Sequence, residues 1–205
     1  MNTLALERKQ KGEPVYNLSV GEPVLATPAV VVEAAHRAMK DGKTLYPPVA
    51  GIPELRVAAS EWVNKNYQTN FTPDETIVTC GGKHGLAMSL QAILEPGDEV
   101  LIPSPYWVSY PPMVQLVGGV AKVLSTKEEN GWKITPETIN ASAGPRTRSL
   151  ILNNGANPTG VLYSREEVAT LLAAAIGRNL IIISDEVYSG LVYDGKEYVS
   201  VGSFA

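Results

Sequence analysis

Residues 180–188 read Leu180-Ile181-Ile182-Ile183-Ser184-Asp185-Glu186-Val187-Tyr188. Four consecutive apolar side chains leave no polar face, so a strand made from them must be covered on both sides, as in a parallel sheet flanked by helices. Two acids then stand at the mouth of that strand. Packing gives no reason for them there, which favours a ligand or ion-pair role.

Upstream, the same alternation repeats. Ser164 and Glu167 have the spacing of a capping box and open a helix running to about Gly177, and residues 149–152 form another short apolar strand. Before these come a short helix from Pro136, a hairpin-like stretch around Trp132, a strand at 120–124 and a helix at 106–117. Pro96-Gly97-Asp98 turns into a strand at 99–103, preceded by a helix at 83–94 and a strand at 76–80. Pro53 opens a helix whose face carries Leu55, Ala59, Trp62 and Val63. Thr27 and Pro28 read as the N-cap and first residue of an earlier helix, with Val31, Ala34, Ala35, Ala38 and Met39 on its apolar side and a stop at Asp41-Gly42. Residues 1–26 read as irregular and rich in turn formers. The expected architecture is α/β, a three-layer sandwich around a mostly parallel sheet, with ligands at the carboxyl ends of the strands.

Composition narrows the partners. The 205 residues, 44% of them apolar, suffice for a sizeable core, and a net charge of −4 without a basic cluster argues against nucleic acid or an anionic membrane surface. A single cysteine, Cys80, excludes an internal disulfide framework and any cysteine-rich metal site, which fits a reducing compartment such as the cytoplasm. No run of 18 apolar residues and no signal-peptide core occurs.

Three polar clusters fall at predicted strand ends. Gly81-Gly82-Lys83-His84-Gly85 could bring backbone N–H groups to an anion at a helix N-terminus, or simply turn the chain between strand and helix. Asn157-Pro158-Thr159-Gly160 consists of turn formers and reads alone as a turn. Asp185-Glu186-Val187-Tyr188 is the third. His36 reads as a surface helix residue, and His84 as a helix residue beside the glycine turn rather than a catalyst.

Taken in order, Leu45-Tyr46, Gly51-Ile52-Pro53-Glu54-Leu55-Arg56, Gly81-Gly82-Lys83, Ser104-Pro105-Tyr106-Trp107, Asn157-Pro158-Thr159-Gly160 and Ser184-Asp185-Glu186-Val187-Tyr188 resemble the class I aminotransferases. Bacterial aspartate aminotransferases are the most similar group, from about Val20 onward. The resemblance implies the large domain of the fold type I pyridoxal phosphate enzymes over 27–205, an N-terminal arm or small-domain segment over 1–26, and pyridoxal 5′-phosphate as cofactor. It implies that Asp185 pairs with the pyridine nitrogen of the cofactor, that Asn157 and Tyr188 hydrogen-bond its phenolic oxygen, and that Trp107 lies against its ring. From residue types alone, an ordinary core role for Trp107 is equally open. It further implies that Gly82 and Lys83 hold the phosphate through their backbone, while Tyr46 reaches the partner subunit's phosphate in a homodimer. The substrates would be an amino acid and a 2-oxo acid, met by Gly21, Trp107, Asn157 and Lys83, with the Lys83 ammonium leaning towards aspartate or glutamate.

Two departures stand out. Asn154-Gly155-Ala156 replaces the usual residues before Asn157, and Val24 stands where relatives carry an acid. The resemblance also places the Schiff-base lysine and the arginine that grips the substrate carboxylate beyond Ala205. None of the ten lysines takes that lysine's place, so residues 1–205 are expected to be an inactive N-terminal part, incomplete at the C-terminus of the large domain. A non-catalytic remnant and a ligand-binding module are the alternatives. The exposed sheet edge such a part would carry is expected to make it poorly soluble or partly unfolded.

Overall fold

The computed structural model describes residues 2–17, 21 and 25–204, so Val24 and the Glu22-Pro23 pair before it fall outside the described residues. The chain divides into two compact units, residues 1–47 and 48–205.

In the first unit, α1 (Asn2–Gln10) occupies part of the segment expected to be irregular. Its Leu4-Ala5-Leu6-Glu7-Arg8-Lys9-Gln10 run contains only good helix formers, and local propensity outweighs the turn residues further on. Gly12, at φ 77°, ends it. Helix α2 (Ala29–Lys40) starts one residue later than expected. Pro28 has extended ψ and takes the N-cap position itself, with no side-chain cap, so Thr27 is not the cap. The stop at Asp41-Gly42 is as expected, with Gly42 at φ 72°.

The second unit opens with α3 (Pro53–Tyr67), its proline at the first helical position as expected. The covered side differs from the expected one. Leu55 and Trp62 are exposed, whereas Ser60 is buried and Arg56, Ala59 and Val63 are half-buried. Arg56 decides this orientation: its Nε donates to the Thr76 carbonyl at 2.9 Å and its Nη2 to Asp74 Oδ1 at 3.1 Å.

Four strands follow, β1 (Glu99–Pro103), β2 (Val120–Leu124), β3 (Thr147–Asn153) and β4 (Ile181–Asp185), in the order β2-β1-β3-β4 with every pairing parallel. The period-2 alternation of a strand sends neighbouring side chains to opposite faces. On one face Val100, Ile102 and Ile151 pack against α4 (Gly82–Ile93) and α5 (Tyr110–Leu116) through Leu90, Tyr110, Met113 and Val114. On the other, Leu101, Leu150 and Leu152 pack against α6 (Pro136–Ser142) and α7 (Arg165–Gly177) through Ile139, Val168, Leu171 and Ala175. This is the three-layer α/β arrangement that continuous apolar strands require. Each fully buried Leu or Ile in it is worth roughly 1.5–3 kcal/mol.

Helix α7 begins as expected. Ser164 Oγ accepts from the Glu167 N–H at 3.2 Å, and Glu167 Oε2 accepts from the Ser164 N–H at 2.7 Å. Lys133 donates to the same carboxylate at 2.6 Å, tying the loop before α6 to the start of α7.

Three further expectations fail. Residues 76–80 are extended but join no sheet. Their one backbone pairing outside turns, Val78 N–H to the Ala50 carbonyl at 3.0 Å, makes no ladder, and a strand requires one. Helix α5 starts at Tyr110 rather than 106, because the chain turns at Trp107 (Tyr110 N–H to the Trp107 carbonyl, 3.1 Å) and Pro111 and Pro112 fill a first turn that needs no N–H donors. Trp132 lies in no hairpin. Gly131 and Trp132 both adopt positive φ, and the Trp132 N–H closes a tight loop on the Lys127 carbonyl at 2.9 Å.

Candidate active site

In the order β2-β1-β3-β4 the chain's progression reverses between β1 and β3, and in open α/β sheets ligands bind outside the carboxyl ends of the strands at such a point. A cleft of about 630 Å³ lies at this end. Its walls come from the start of α4 (Gly82, Lys83), from the segment after β1 (Trp107, Tyr110), from the end of β3 and its loop (Asn153, Asn157) and from β4 with its following turn (Ile183 to Tyr188). Six residues singled out in the sequence, Gly82, Lys83, Trp107, Asn157, Asp185 and Tyr188, therefore converge on one cleft. Gly21 and Tyr46 belong to the 1–47 unit, and both are exposed.

Asp185 is the last residue of β4, half-buried rather than fully buried. Its Oδ2 accepts from the Tyr110 hydroxyl at 2.7 Å and its Oδ1 from the Val187 N–H at 3.2 Å, so the carboxylate is fixed from two sides. Burial, then the Asp185 carboxylate, pushes the Tyr110 phenol well above its ordinary range, so it stays a proton donor. The Asn153 amide donates to the Asp185 carbonyl at 2.8 Å, and its Oδ1 accepts from the Asn157 N–H at 2.8 Å. Asn153 thus sets the spacing between the β4 acid and the Asn157 turn. Asn157 Nδ2 lies 3.3 Å from the Tyr188 hydroxyl, which pairs the two residues expected to act together.

The second acid has a structural use. Glu186 Oε1 accepts from Ser184 Oγ at 2.7 Å and from the Val201 N–H at 2.9 Å, holding the segment around Val201 against the end of β4. The altered Asn154-Gly155-Ala156 segment is structural too. Asn154 is buried, donating to the Val199 carbonyl at 2.8 Å and accepting from the Tyr163 N–H at 2.9 Å, and Gly155 adopts φ 76°.

Opposite Asp185, α4 presents its N-terminus. Gly81 caps it at φ 81°, ψ 163°, and the bonds of the first turn begin with His84 and Gly85 on the Gly81 carbonyl. Among the described residues the N–H groups of Gly82 and Lys83 have no acceptor, and open space surrounds Gly81 and Gly82. Such N–H groups with the positive end of the helix dipole favour an anion. Lys83 Nζ lies 4.8 Å from the Trp107 ring centroid, a cation–π distance, and the Trp107 ring meets Tyr110 edge-on at 5.4 Å. His84 Nδ1 accepts from the Cys80 N–H at 3.2 Å, a local role at the helix start.

Two residues escaped the sequence reading. Tyr110 was legible only as part of a helix, and Asn153 only as a strand end; their importance comes from tertiary partners. Among the described residues no group of three or more His, Cys, Asp and Glu gathers as for a metal, and no helix is long and apolar enough to cross a membrane.

Residues 13–205 match the family described as aminotransferase class I and II. The chain belongs to this family. Its members use pyridoxal 5′-phosphate and are transferases of amino groups. The aspartate/prephenate aminotransferase of Thermus thermophilus is 45% identical over 198 residues, which are 97% of this chain and 51% of that protein. The aspartate aminotransferase of Geobacillus stearothermophilus is 40% identical over 201 residues, 98% of this chain and 51% of that protein. Among solved structures, aspartate aminotransferase from Thermus thermophilus with maleate superposes at a TM-score of 0.94 with 46% identity, covering 98% of this chain and 53% of that one. The Thermotoga maritima aspartate aminotransferase also gives 0.94, at 38% identity, covering 100% and 54%. The chain spans about half the length of the curated relatives it matches.

Proposed function

We propose that the complete protein transaminates between an L-amino acid of the aspartate or glutamate type and a 2-oxo acid, and that residues 27–205 belong to its cofactor-binding domain, with 1–26 as an arm or small-domain segment. The observation that carries this reading is the cleft itself: a doubly held carboxylate, a paired amide and phenol, a flat indole and two unbonded helix N–H groups face one space.

The donor set suits pyridoxal 5′-phosphate. When bound, the cofactor supplies an electron-withdrawing ring that accepts the electron pair left as a substrate α-proton departs. Asp185 would accept from a protonated ring nitrogen, and Tyr110 keeps that carboxylate aimed by donating to it. Asn157 Nδ2 and the Tyr188 hydroxyl would donate to the phenolic oxygen. The Gly82 and Lys83 N–H groups would hold the phosphate, and Trp107 would cover one ring face and exclude water from it. The Lys83 ammonium, beside Trp107 at the cleft wall, would meet the distal carboxylate of an acidic substrate. Gly21 would offer its backbone to the substrate's other carboxylate, and Tyr46 would reach the phosphate in the partner subunit of a homodimer. The names of the relatives agree with an acidic amino donor, and a single cysteine fits a cytoplasmic setting.

Lys83 is the lysine that lines the cleft, and its place at the start of α4 suits an anion contact better than bonding to the cofactor aldehyde. We therefore place the Schiff-base lysine in the half of the relatives' length that residues 1–205 do not span. Incubation of the 205-residue chain with pyridoxal phosphate, borohydride reduction and peptide mass analysis tests this. No stoichiometric lysine adduct is expected, and an adduct on Lys83 overturns the assignment. In the complete protein, aspartate with 2-oxoglutarate should turn over. Bound cofactor without turnover would instead point to a non-catalytic, ligand-binding role.

A further inference from the structure

We propose that the amino end of the sheet, opposite the active-site cleft, carries a second anion site, built by Arg146, Arg148 and Arg178 and suited to a pyrophosphate group. A cleft of about 570 Å³ lies at the amino ends of β1, β3 and β4, lined by these three arginines together with Glu95, Asp98, Thr147 and Asn179 among others. Seven residues of β3 separate its two ends, so the site stands roughly 20 Å from Asp185.

Arg148 and Arg178 are anchored through Nε and Arg146 only through its backbone, which leaves the outer nitrogens of all three exposed side chains available. The Arg146 carbonyl accepts from the Glu99 N–H at 2.7 Å, and next to it Thr147 Oγ1 donates to Glu99 Oε2 and accepts from the Gly144 N–H, both at 2.8 Å. That loop is stapled to β1. Arg148 Nε donates to the Ile93 carbonyl at 3.4 Å, and Arg178 Nε to Asn140 Oδ1 at 2.8 Å. Among the described residues no carboxylate lies within ion-pair distance of any of the three, and no hydrogen bond uses their Nη atoms.

Two acids line the cleft, Glu95 and Asp98, and Glu99 stands close enough to Arg146 to feel its charge. Asp98 Oδ2 accepts from the Glu95 N–H at 2.9 Å, and Glu99 Oε2 is taken by Lys122 at 3.1 Å and by Thr147. Three guanidinium groups outnumber the two carboxylates, Glu95 and Asp98, that line the same cleft, and an oxyanion lowers the repulsion that remains. The planar fork of arginine matches phosphate oxygens two at a time, so three forks suit a ligand with two adjacent phosphate groups better than a single small anion. The whole chain carries a charge of −4, so affinity for anions here would be local rather than a property of the surface at large. The three residues are spread over 33 positions of sequence (178 − 146 = 32, both ends counted), and the fold brings them together.

The test is calorimetric titration of the protein with inorganic pyrophosphate, with pyridoxal phosphate in excess to occupy the start of α4. One site per chain is expected. Arg146→Ala, which breaks no side-chain hydrogen bond, should weaken binding at least tenfold, and Arg146→Lys, which keeps the charge but loses the fork, at least threefold. Arg165→Ala, at the other end of α7, should leave binding unchanged. Competition by a nucleoside diphosphate at this site would assign it to a pyrophosphate on a carrier, and failure to compete would assign it to the free ion; either supports the site. Absence of binding, or equal binding by wild type and both Arg146 variants with unchanged far-ultraviolet circular dichroism, overturns it.

Discussion

The Tyr110 hydroxyl donates to Asp185 Oδ2 at 2.7 Å, linking the start of α5 to the end of β4 across 75 residues of sequence. Tyr110 is 2% exposed, so packing around it fixes the position of the donor. Tyr110→Phe keeps the ring and removes only the O–H, leaving one side of a carboxylate unsupported. A hydrogen bond to a charged group contributes about 1.5–3 kcal/mol, and a loss of that order is expected in urea unfolding. Pyridoxal phosphate affinity should fall with it. An unchanged urea midpoint would show that the contact contributes nothing.

The same contact makes the protein sensitive to alkali. Burial first, then a neighbouring acid, raises the Tyr110 phenol above its ordinary 10.0 (the acid being Asp185) and the Tyr198 phenol likewise (Glu186). Burial also raises Tyr163. A pKa higher in the folded state than in the unfolded chain gives stability that is present below the unfolded value and lost as pH rises above it. Part of the tyrosinate absorbance near 295 nm should therefore appear only well above pH 10.0, coinciding with loss of far-ultraviolet circular dichroism. A rise completed before any unfolding would contradict this.

At the acid end the controlling groups are Glu99 and Glu167. Hydrogen bonds from Thr147 and Lys122 hold Glu99 below its ordinary value of 4.5. For Glu167 burial works in the opposite direction, but Lys133 and the Ser164 N–H outweigh it and the net shift is downward. Depressed carboxylates contribute stability above the unfolded value, and it disappears as pH falls through the folded one. The melting temperature should drop as pH falls below 4.5, and Glu99→Gln and Glu167→Gln should each lower it at neutral pH while flattening that acid limb. Parallel pH profiles for wild type and both variants would refute the assignment.

What could be read from sequence depended on whether the deciding forces were local. The strands at 99–103 and 120–124 and the Ser164–Glu167 cap follow from apolar runs, turn residues and side-chain reach over three positions, and all appear as read. The 76–80 segment has the composition of a strand, yet a strand exists only with a neighbour, which no local pattern reveals. The covered side of α3 was misread because Arg56, a charged residue, turns inward to reach the Thr76 carbonyl. The site shows the same division. Asp185, Asn157 and Gly82 sit in motifs at strand or helix ends, whereas Tyr110 and Asn153 matter through partners 75 and 32 residues away.

The last prediction concerns the turn that aims α4 at the cleft. Gly81 adopts φ 81°, ψ 163°, a region open essentially to glycine, while Gly82 has no positive φ and open space where a Cβ would stand. Gly81→Ala must either hold a strained backbone, at about 1–3 kcal/mol, or let the turn relax and swing the Gly82 and Lys83 N–H groups away. Gly82→Ala adds a methyl group at the first helical position, where alanine is favoured over glycine, so its stability should match or slightly exceed wild type. Chemical unfolding of both variants separates the effects, and pyridoxal phosphate titration of Gly81→Ala reports whether the N–H groups still point into the cleft. If Gly81→Ala unfolds at the same denaturant concentration as Gly82→Ala and binds the cofactor as wild type does, the glycine conformation does not position the helix.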